Sequence, residues 1–375
     1  MIKDLIRKVF RPRRVIEQHI AVFGESGSGK TTLLSTFYGW HQEPFFRRTA
    51  GYSLLADDTS QGQRLLKQYF KMKESLLPPP TRYQHQAFKF NITVRGLDKS
   101  AGSIVWHDYP GEWWTETKTD AEEKKKIEAF RTLLKSDIAF FLCDAQILRE
   151  EGGKYLKRLF GSFRGELERQ KSAIVSDNKP LQSFPRVWVI CLSKSDLMPD
   201  KDVYWFRGEI YKSAIDELEE LREVLKMMLA GDDYQSIGED FLLLSSAKFD
   251  SETGKIINPE QNIGIDLIPP ISIILPIQRA LIWAKVKVNR QVAIYRVAEI
   301  FRSLTTNWLK YIPLVGNVFM LVDDTAKSIT DKLKDLENSA RQEGNSVTAV
   351  AAAFRGKLED EQTQKVYFSN KNEIN

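Results

Sequence analysis

The stretch Gly24-Glu25-Ser26-Gly27-Ser28-Gly29-Lys30-Thr31 constrains this chain more than any other. It fits G-x-x-x-x-G-K-[ST] at every fixed position. The apolar run Ile20-Ala21-Val22-Phe23 precedes it and the helix-compatible residues 32–37 follow, so the order reads strand, loop, helix. Glycines at these spacings let backbone N–H groups turn inward around phosphate oxygens, and the helix N-terminus behind them adds a positive dipole. Lys30 is placed to reach β- and γ-phosphates, the Thr31 hydroxyl to ligate magnesium, and Thr32 to complete the cradle. A loop of this kind belongs to an open α/β sheet that binds its ligand beyond the carboxyl ends of its strands.

The remaining pattern agrees. Residues 87–95 alternate apolar and polar side chains, as a strand with one exposed face does, and residues 103–106 follow as a second strand. Residues 138–143, 187–192 and 241–244 are continuous apolar runs of the kind buried on both faces of a sheet. Helical patterns at about 121–135, 154–170 and 205–229 separate them, and 271–288 reads as a further covering helix. The expected fold is α/β, a mainly parallel sheet sandwiched by helices, with a helical C-terminal extension. Its expected divisions are a basic amphipathic helix over 1–15, the main domain over 16–286 and the extension over 287–375. Within the domain, residues 40–80 read as an irregular and mobile insertion holding one helix at 63–73, closed by Pro78-Pro79-Pro80. Residues 308–322 are apolar but interrupted by Lys310, Pro313 and Gly316, and fifteen residues fall short of a membrane span of about 20.

Composition excludes several classes. With 42% hydrophobic and 28% charged residues the chain is neither disordered nor fibrous. Two cysteines, Cys143 and Cys191, cannot build a disulfide framework or a cysteine-rich metal site, which suits a reducing, cytoplasmic setting. The formal net charge of +5 is carried entirely by residues 1–14, where Lys3, Arg7, Lys8, Arg11, Arg13 and Arg14 oppose Asp4 alone. The neutral remainder speaks against nucleic acid as a partner. Ile2, Leu5, Ile6, Val9 and Phe10 give the same segment an apolar face, so it is expected either to dock on a protein or to touch an anionic membrane surface at the inner leaflet. No continuous apolar core follows its charges, as a secretory signal requires.

Three segments bear on which ligand the loop holds. Asp108-Tyr109-Pro110-Gly111 follows a strand; Asp108 is placed to hold magnesium and the Gly111 N–H to sense a γ-phosphate. Ser193-Lys194-Ser195-Asp196 ends a later strand, where Asp196 can accept from the N1 and N2 donors of guanine while Lys194 lies along the ring. Ser245-Ser246-Ala247-Lys248 ends the next, where a backbone N–H can meet the guanine O6. Each alone could be a polar turn. Their order, each just past a strand's carboxyl end, is what makes them a set.

These residues resemble the Ras-like GTPases of the translation-factor-related class over about 17–285, and the D-Y-P-G-E-W-W segment with the long interval after Lys30 is closest in style to the bacterial double-GTPase families. The resemblance implies binding of GTP and GDP with Mg²⁺, hydrolysis of GTP, a nucleotide-dependent switch formed by 40–82 and 109–120, and a protein partner such as a second GTPase, in a bacterial defence or conflict setting. It implies a switch threonine that contacts the metal and the γ-phosphate; Thr81 is the best placed, ahead of Thr49 and Thr59. Two departures stand out. Ser193 replaces the usual Asn or Thr, and Glu112 replaces a glutamine that orients the attacking water with both a donor and an acceptor; a carboxylate only accepts, so slow turnover is expected. Arg47, Arg48 and Arg82 are arginine-finger candidates or a solvated face, Trp113 and Trp114 a contact surface or packing residues, and His107 reads as structural. The rival readings are a P-loop ATPase and a non-catalytic scaffold that recruits a partner or membrane.

Overall fold

Runs of apolar residues too continuous for a half-exposed strand become the centre of a sheet. The computed structural model describes residues 16–78, 86–94, 100–108, 119–175, 187–228, 237–250, 255–276, 353–354, 357–358 and 364–369. Its elements are β1 (Ile16–Phe23), α1 (Lys30–Gln42), α2 (Pro44–Thr49), β2 (Tyr52–Ala56), α3 (Thr59–Lys73), β3 (Gln86–Val94), β4 (Ser100–Asp108), α4 (Asp120–Leu134), β5 (Ile138–Asp144), α5 (Ala145–Glu151), α6 (Gly153–Ile174), β6 (Val187–Ser193), α7 (Val203–Met228), β7 (Asp240–Leu243), β8 (Lys248–Phe249), β9 (Ile256–Asn258) and β10 (Val366–Tyr367). Eight strands form one sheet in the order β10-β7-β6-β5-β1-β4-β3-β2, and β8 and β9 form a separate pair. The pairings from β4 through β1, β5 and β6 to β7 are parallel, and those at both margins are antiparallel.

Alternation along the central strands divides the core in two. Ile20, Val22, Phe140, Leu142, Val189 and Cys191 face Leu34 and Phe37 of α1 and Ile271 and Ile274 of the helical segment 268–276. Ala21, Phe23, Phe141, Cys143, Trp188 and Ile190 face α4, α6 and α7. Both faces of the sheet are thus covered, which is why these strands carry no polar alternation. Burying each large apolar side chain contributes about 1.5–3 kcal/mol. Gly39 lets α3 lie directly on α1, since a Cβ there would stand 2.0 Å from the Tyr69 ring.

Residues 40–80 differ from expectation. In place of one helix in an irregular loop, α2, β2 and α3 form a compact insertion, and β2 extends the sheet by pairing with β3. The helix starts four residues before the expected 63, because the Asp58 carboxylate caps it by accepting from Ser60 N at 2.7 Å and Gln61 N at 3.1 Å. The tail differs as well. Phe354, Leu358 and Val366 enter the same core as Ile20, Lys357 pairs with Asp266 at 2.6 Å, and β10 lies antiparallel to β7. The end of the extension therefore packs back onto the main domain.

Residues 1–15 and 287–352 lie outside the described residues, as do Thr81, Arg82, Gly111, Glu112, Trp113 and Trp114. Among the described residues no helix is long and apolar enough to cross a membrane.

Candidate functional site

The chain leaves β1 at Phe23 and must reverse into α1 within six residues. Gly27 (φ 82°) and Gly29 (φ 89°) take left-handed backbone with nothing near the missing Cβ, conformations an L side chain would strain. Gly24 is needed for a different reason: a Cβ there would meet Ser28 Oγ at 2.6 Å. The Ser28 N–H donates to Glu25 O at 3.2 Å and closes the turn. No side chain caps α1 and no acidic residue occupies its first turn, so the positive end of the helix opens toward the loop.

Lys30 opens α1 and is nearly enclosed, at 7% exposure. Its Nζ donates to Gly24 O at 2.7 Å and Glu25 O at 2.8 Å. Burial pulls its pKa down to about 8, against the opposing pull of the Asp108 and Glu25 carboxylates. Asp108 itself ends β4, beside β1, and is 2% exposed. Glu25 is half-buried and its carboxyl titrates above the usual carboxylate range, because burial outweighs the nearby Arg158 guanidinium. Ser26 and Gly27 are exposed at the loop's tip, and Thr31 and Thr32 are half-buried in the first turn of α1.

The second half of the site sits at the ends of β5, β6 and β7. The Ser193 hydroxyl donates to Cys143 O at 3.1 Å. Lys194 takes left-handed backbone (φ 54°), which costs a non-glycine residue about 1–2 kcal/mol, and its Nζ meets Asp144 Oδ2 at 2.5 Å. The Asp196 carboxylate accepts from the Ser245 hydroxyl and, at 2.8 Å, from Phe249 N. Burial raises the Asp196 pKa, and those two hydrogen bonds oppose the rise. The loop after β6 is thereby fixed against the loop after β7.

Between the two halves lies a cavity of about 390 Å³, within the range of small-ligand sites. Gly27, Ser28, Gly29 and Thr32 line it on the side of the glycine loop, Lys194, Leu197, Ser245, Ser246 and Phe249 on the side of the later loops, and Gln146, Arg149 and Leu77 line it too. Leu77 arrives there because the insertion is pinned nearby. Lys73 pairs with Glu43 at 2.6 Å and Glu260 at 2.7 Å, and the Ser75 hydroxyl donates to Ile256 O at 2.8 Å.

The structure gathers Gly24 to Thr32, Asp108, Lys194, Asp196 and Ser246 on one edge of the sheet. Ala247 and Lys248 are placed differently: Ala247 is fully buried against Met72 and Ile256, and Lys248 is exposed in β8. Phe249, Arg149 and Leu77 were not read as site residues from the sequence and carried no signal there, whereas Ser245, the first residue of the expected Ser-Ser-Ala-Lys segment, lines the cavity. Arg47 and Arg48 are exposed on α2. His107 is buried, stacks on His19 with ring centroids 5.2 Å apart, and its Nε2 lies 3.0 Å from His19 Nδ1, as a structural residue does.

A parallel central sheet with its phosphate loop between β1 and α1, and a Lys-x-Asp loop at the end of β6, defines a P-loop nucleotide-binding domain. The chain belongs to the Double-GTPase 2 family, whose sequence model matches residues 18–228, from β1 to the end of α7. No curated protein matches it. Solved structures with local likeness include Era in complex with MgGDPNP and 16S ribosomal RNA (17% identity, 59% of this chain and 60% of that one, TM-score 0.24). Others are the S. cerevisiae Ski7 GTPase-like domain bound to GTP (14%, 65% and 45%, 0.30) and the cytosolic domain of L. pneumophila FeoB (14%, 92% and 90%, 0.25). The chain thus spans 60% of Era and 45% of the Ski7 domain. The fold rests on the strand order and loop geometry above, not on these distant likenesses.

Proposed function

We propose that this chain binds GTP and GDP with Mg²⁺ at the carboxyl edge of its sheet, hydrolyses GTP slowly, and uses the two nucleotide states as a switch. The observation that carries the reading is the placement of two chemically different loops around one cavity, a glycine loop with a buried lysine and a lysine–aspartate loop with a fixed carboxylate. In this reading the backbone N–H groups of the glycine loop cradle the phosphates, and Lys30 exchanges the carbonyls of Gly24 and Glu25 for phosphate oxygens. Asp196 accepts from the guanine N1 and N2 donors, the Lys194 stem lies along the ring, and the N–H beside O6 comes from Ser246, which lines the cavity.

A buried carboxylate at Asp108 and a hydroxyl at Thr31 are hard oxygen donors, which suit Mg²⁺, an ion that keeps several waters and shares its shell with phosphates. When bound, it neutralises charge that develops on the phosphate oxygens. Thr81 and Gly111 are the proposed γ-phosphate contacts whose loss releases the switch, and Glu112, an acceptor only, is the reason for slow turnover. Residues 1–14 are proposed to hold a protein or membrane contact; membership of a double-GTPase family supports a second GTPase as partner, and a defence setting is proposed with it.

Competition against a fluorescent guanine nucleotide tests the reading. GDP should displace it far better than ADP, and Asp196→Asn should weaken GDP on the order of 10- to 100-fold, the worth of a hydrogen bond to a charged group, while strengthening XDP. In the same preparation single-turnover GTP hydrolysis should be slow and quicken in Glu112→Gln. Equal displacement by ADP would favour the ATPase alternative, and GTP turnover no faster than in free solution the scaffold.

A further inference from the structure

We infer that Asp144 is the positioning residue of the base-binding lysine, an inference that rests on the guanine reading above. Asp144 is the last residue of β5, 2% exposed, and stands opposite Ser193 in the parallel register with β6. Its two carboxylate oxygens do different work. Oδ1 accepts from Gln146 N at 2.9 Å and caps α5, while Oδ2 accepts from Lys194 Nζ at 2.5 Å. Its own backbone N–H donates to the Tyr155 hydroxyl at 2.8 Å, and Tyr155 is fully buried on α6. The residue is therefore held twice, its carboxylate by the helix cap and its backbone by the hydroxyl of a packed aromatic residue.

Lys194 has the opposite character. Its backbone is left-handed and its side chain is a flexible four-carbon stem, so nothing in the residue itself fixes where the stem points. The ion pair with Asp144 fixes the far end, and the Ser193 hydroxyl on Cys143 O ties the same two strand ends a second time. With the ammonium neutralised and anchored, the apolar stem is what faces the cavity that Lys194 lines. A flat base packs on such a stem, and Asp196, two residues on, is the acceptor this reading assigns to the base's edge. Asp144 thus acts on base affinity without touching the base, and it has no part in holding phosphate.

That division gives the test. In the full chain with Mg²⁺, GDP and inorganic pyrophosphate are titrated separately as competitors of a fluorescent guanine nucleotide. Asp144→Asn keeps an acceptor for Gln146 N and so keeps the helix cap. It should weaken GDP about tenfold, in the range of coupling between contacting residues, and leave pyrophosphate within about twofold. Lys194→Ala should weaken GDP as well, and Asp144→Asn added to it should cost no more, because Asp144 works through Lys194. Unchanged GDP affinity in Asp144→Asn, parallel loss of both ligands, or full additivity in the double variant would overturn the inference. A wild-type chain that binds neither the fluorescent guanine nucleotide nor GDP would overturn the guanine reading itself, and that outcome is seen without any variant.

Discussion

Lys30 is a cation stored where a cation is costly. With its Nζ on two loop carbonyls and its charge barely hydrated, the pKa falls from 10.5 to about 8. The sign of the consequence differs for folding and for binding. The folded pKa lies below the unfolded one, so the empty protein gains stability from this residue as pH rises from about 8 toward 10.5. Phosphate favours the protonated form, so nucleotide affinity is complete below about 8 and declines above it. GDP should bind roughly tenfold more weakly at pH 9 than at pH 7. Fluorescence titrations across that range check this, and a flat profile would mean that Lys30 does not meet the phosphates. Lys30, Asp108 and Asp196 were legible in the sequence because each sits at a fixed distance from a strand end or a glycine. Phe249 was missed because the familiar Ser-Ala-Lys spelling stops before it; within that spelling Ala247, at 0% exposure, packs against Met72 and Ile256 while Ser246 lines the cavity. Asp144 was missed because a single carboxylate ending an apolar strand has no motif around it.

At the scale of elements, the helix that follows residues 109–118 is latched to the body of the domain by charge. Lys126 of α4 is fully buried, with its Nζ 2.6 Å from Glu166 Oε1 on α6, and Arg169 shares the same carboxylate. Gln170 donates to Glu123 beside it. Burial, reinforced by Arg169, brings the Lys126 pKa down to about 8. Truncating one partner of a buried pair leaves the other charge poorly compensated, so Lys126→Ala should cost about 3 kcal/mol by urea unfolding, and Lys126→Met, which fills the volume, clearly less. Equal and small losses in both would show that the pair contributes little. Long elements with strong periodicity, α4, α6 and α7, were legible to within a few residues. The five-residue strand β2 was not, because Gly51 and Asp57 beside it look like loop residues and its register is set by β3.

At the scale of the whole molecule, the sheet has been lengthened at both margins. The insertion supplies β2 on one side and the last part of the chain supplies β10 on the other, each antiparallel to its neighbour. The two-residue strand Val366–Tyr367 has no periodicity to read, and it exists because Val366 and Phe354 find a core built by residues hundreds of positions earlier. The parallel centre, by contrast, was written in its apolar runs and in the glycine loop that fixes which strand comes first. In the proposed function this edge of the sheet takes a guanine nucleotide through Lys30. Calorimetric titration of the full chain with Mg²⁺ and GTP tests it most directly. One site with a Kd of about 1 µM or tighter is expected, with binding of ATP at least about 100-fold weaker and no measurable heat in Lys30→Ala. Micromolar GTP binding that persists in Lys30→Ala, or ATP bound as well as GTP, would contradict it.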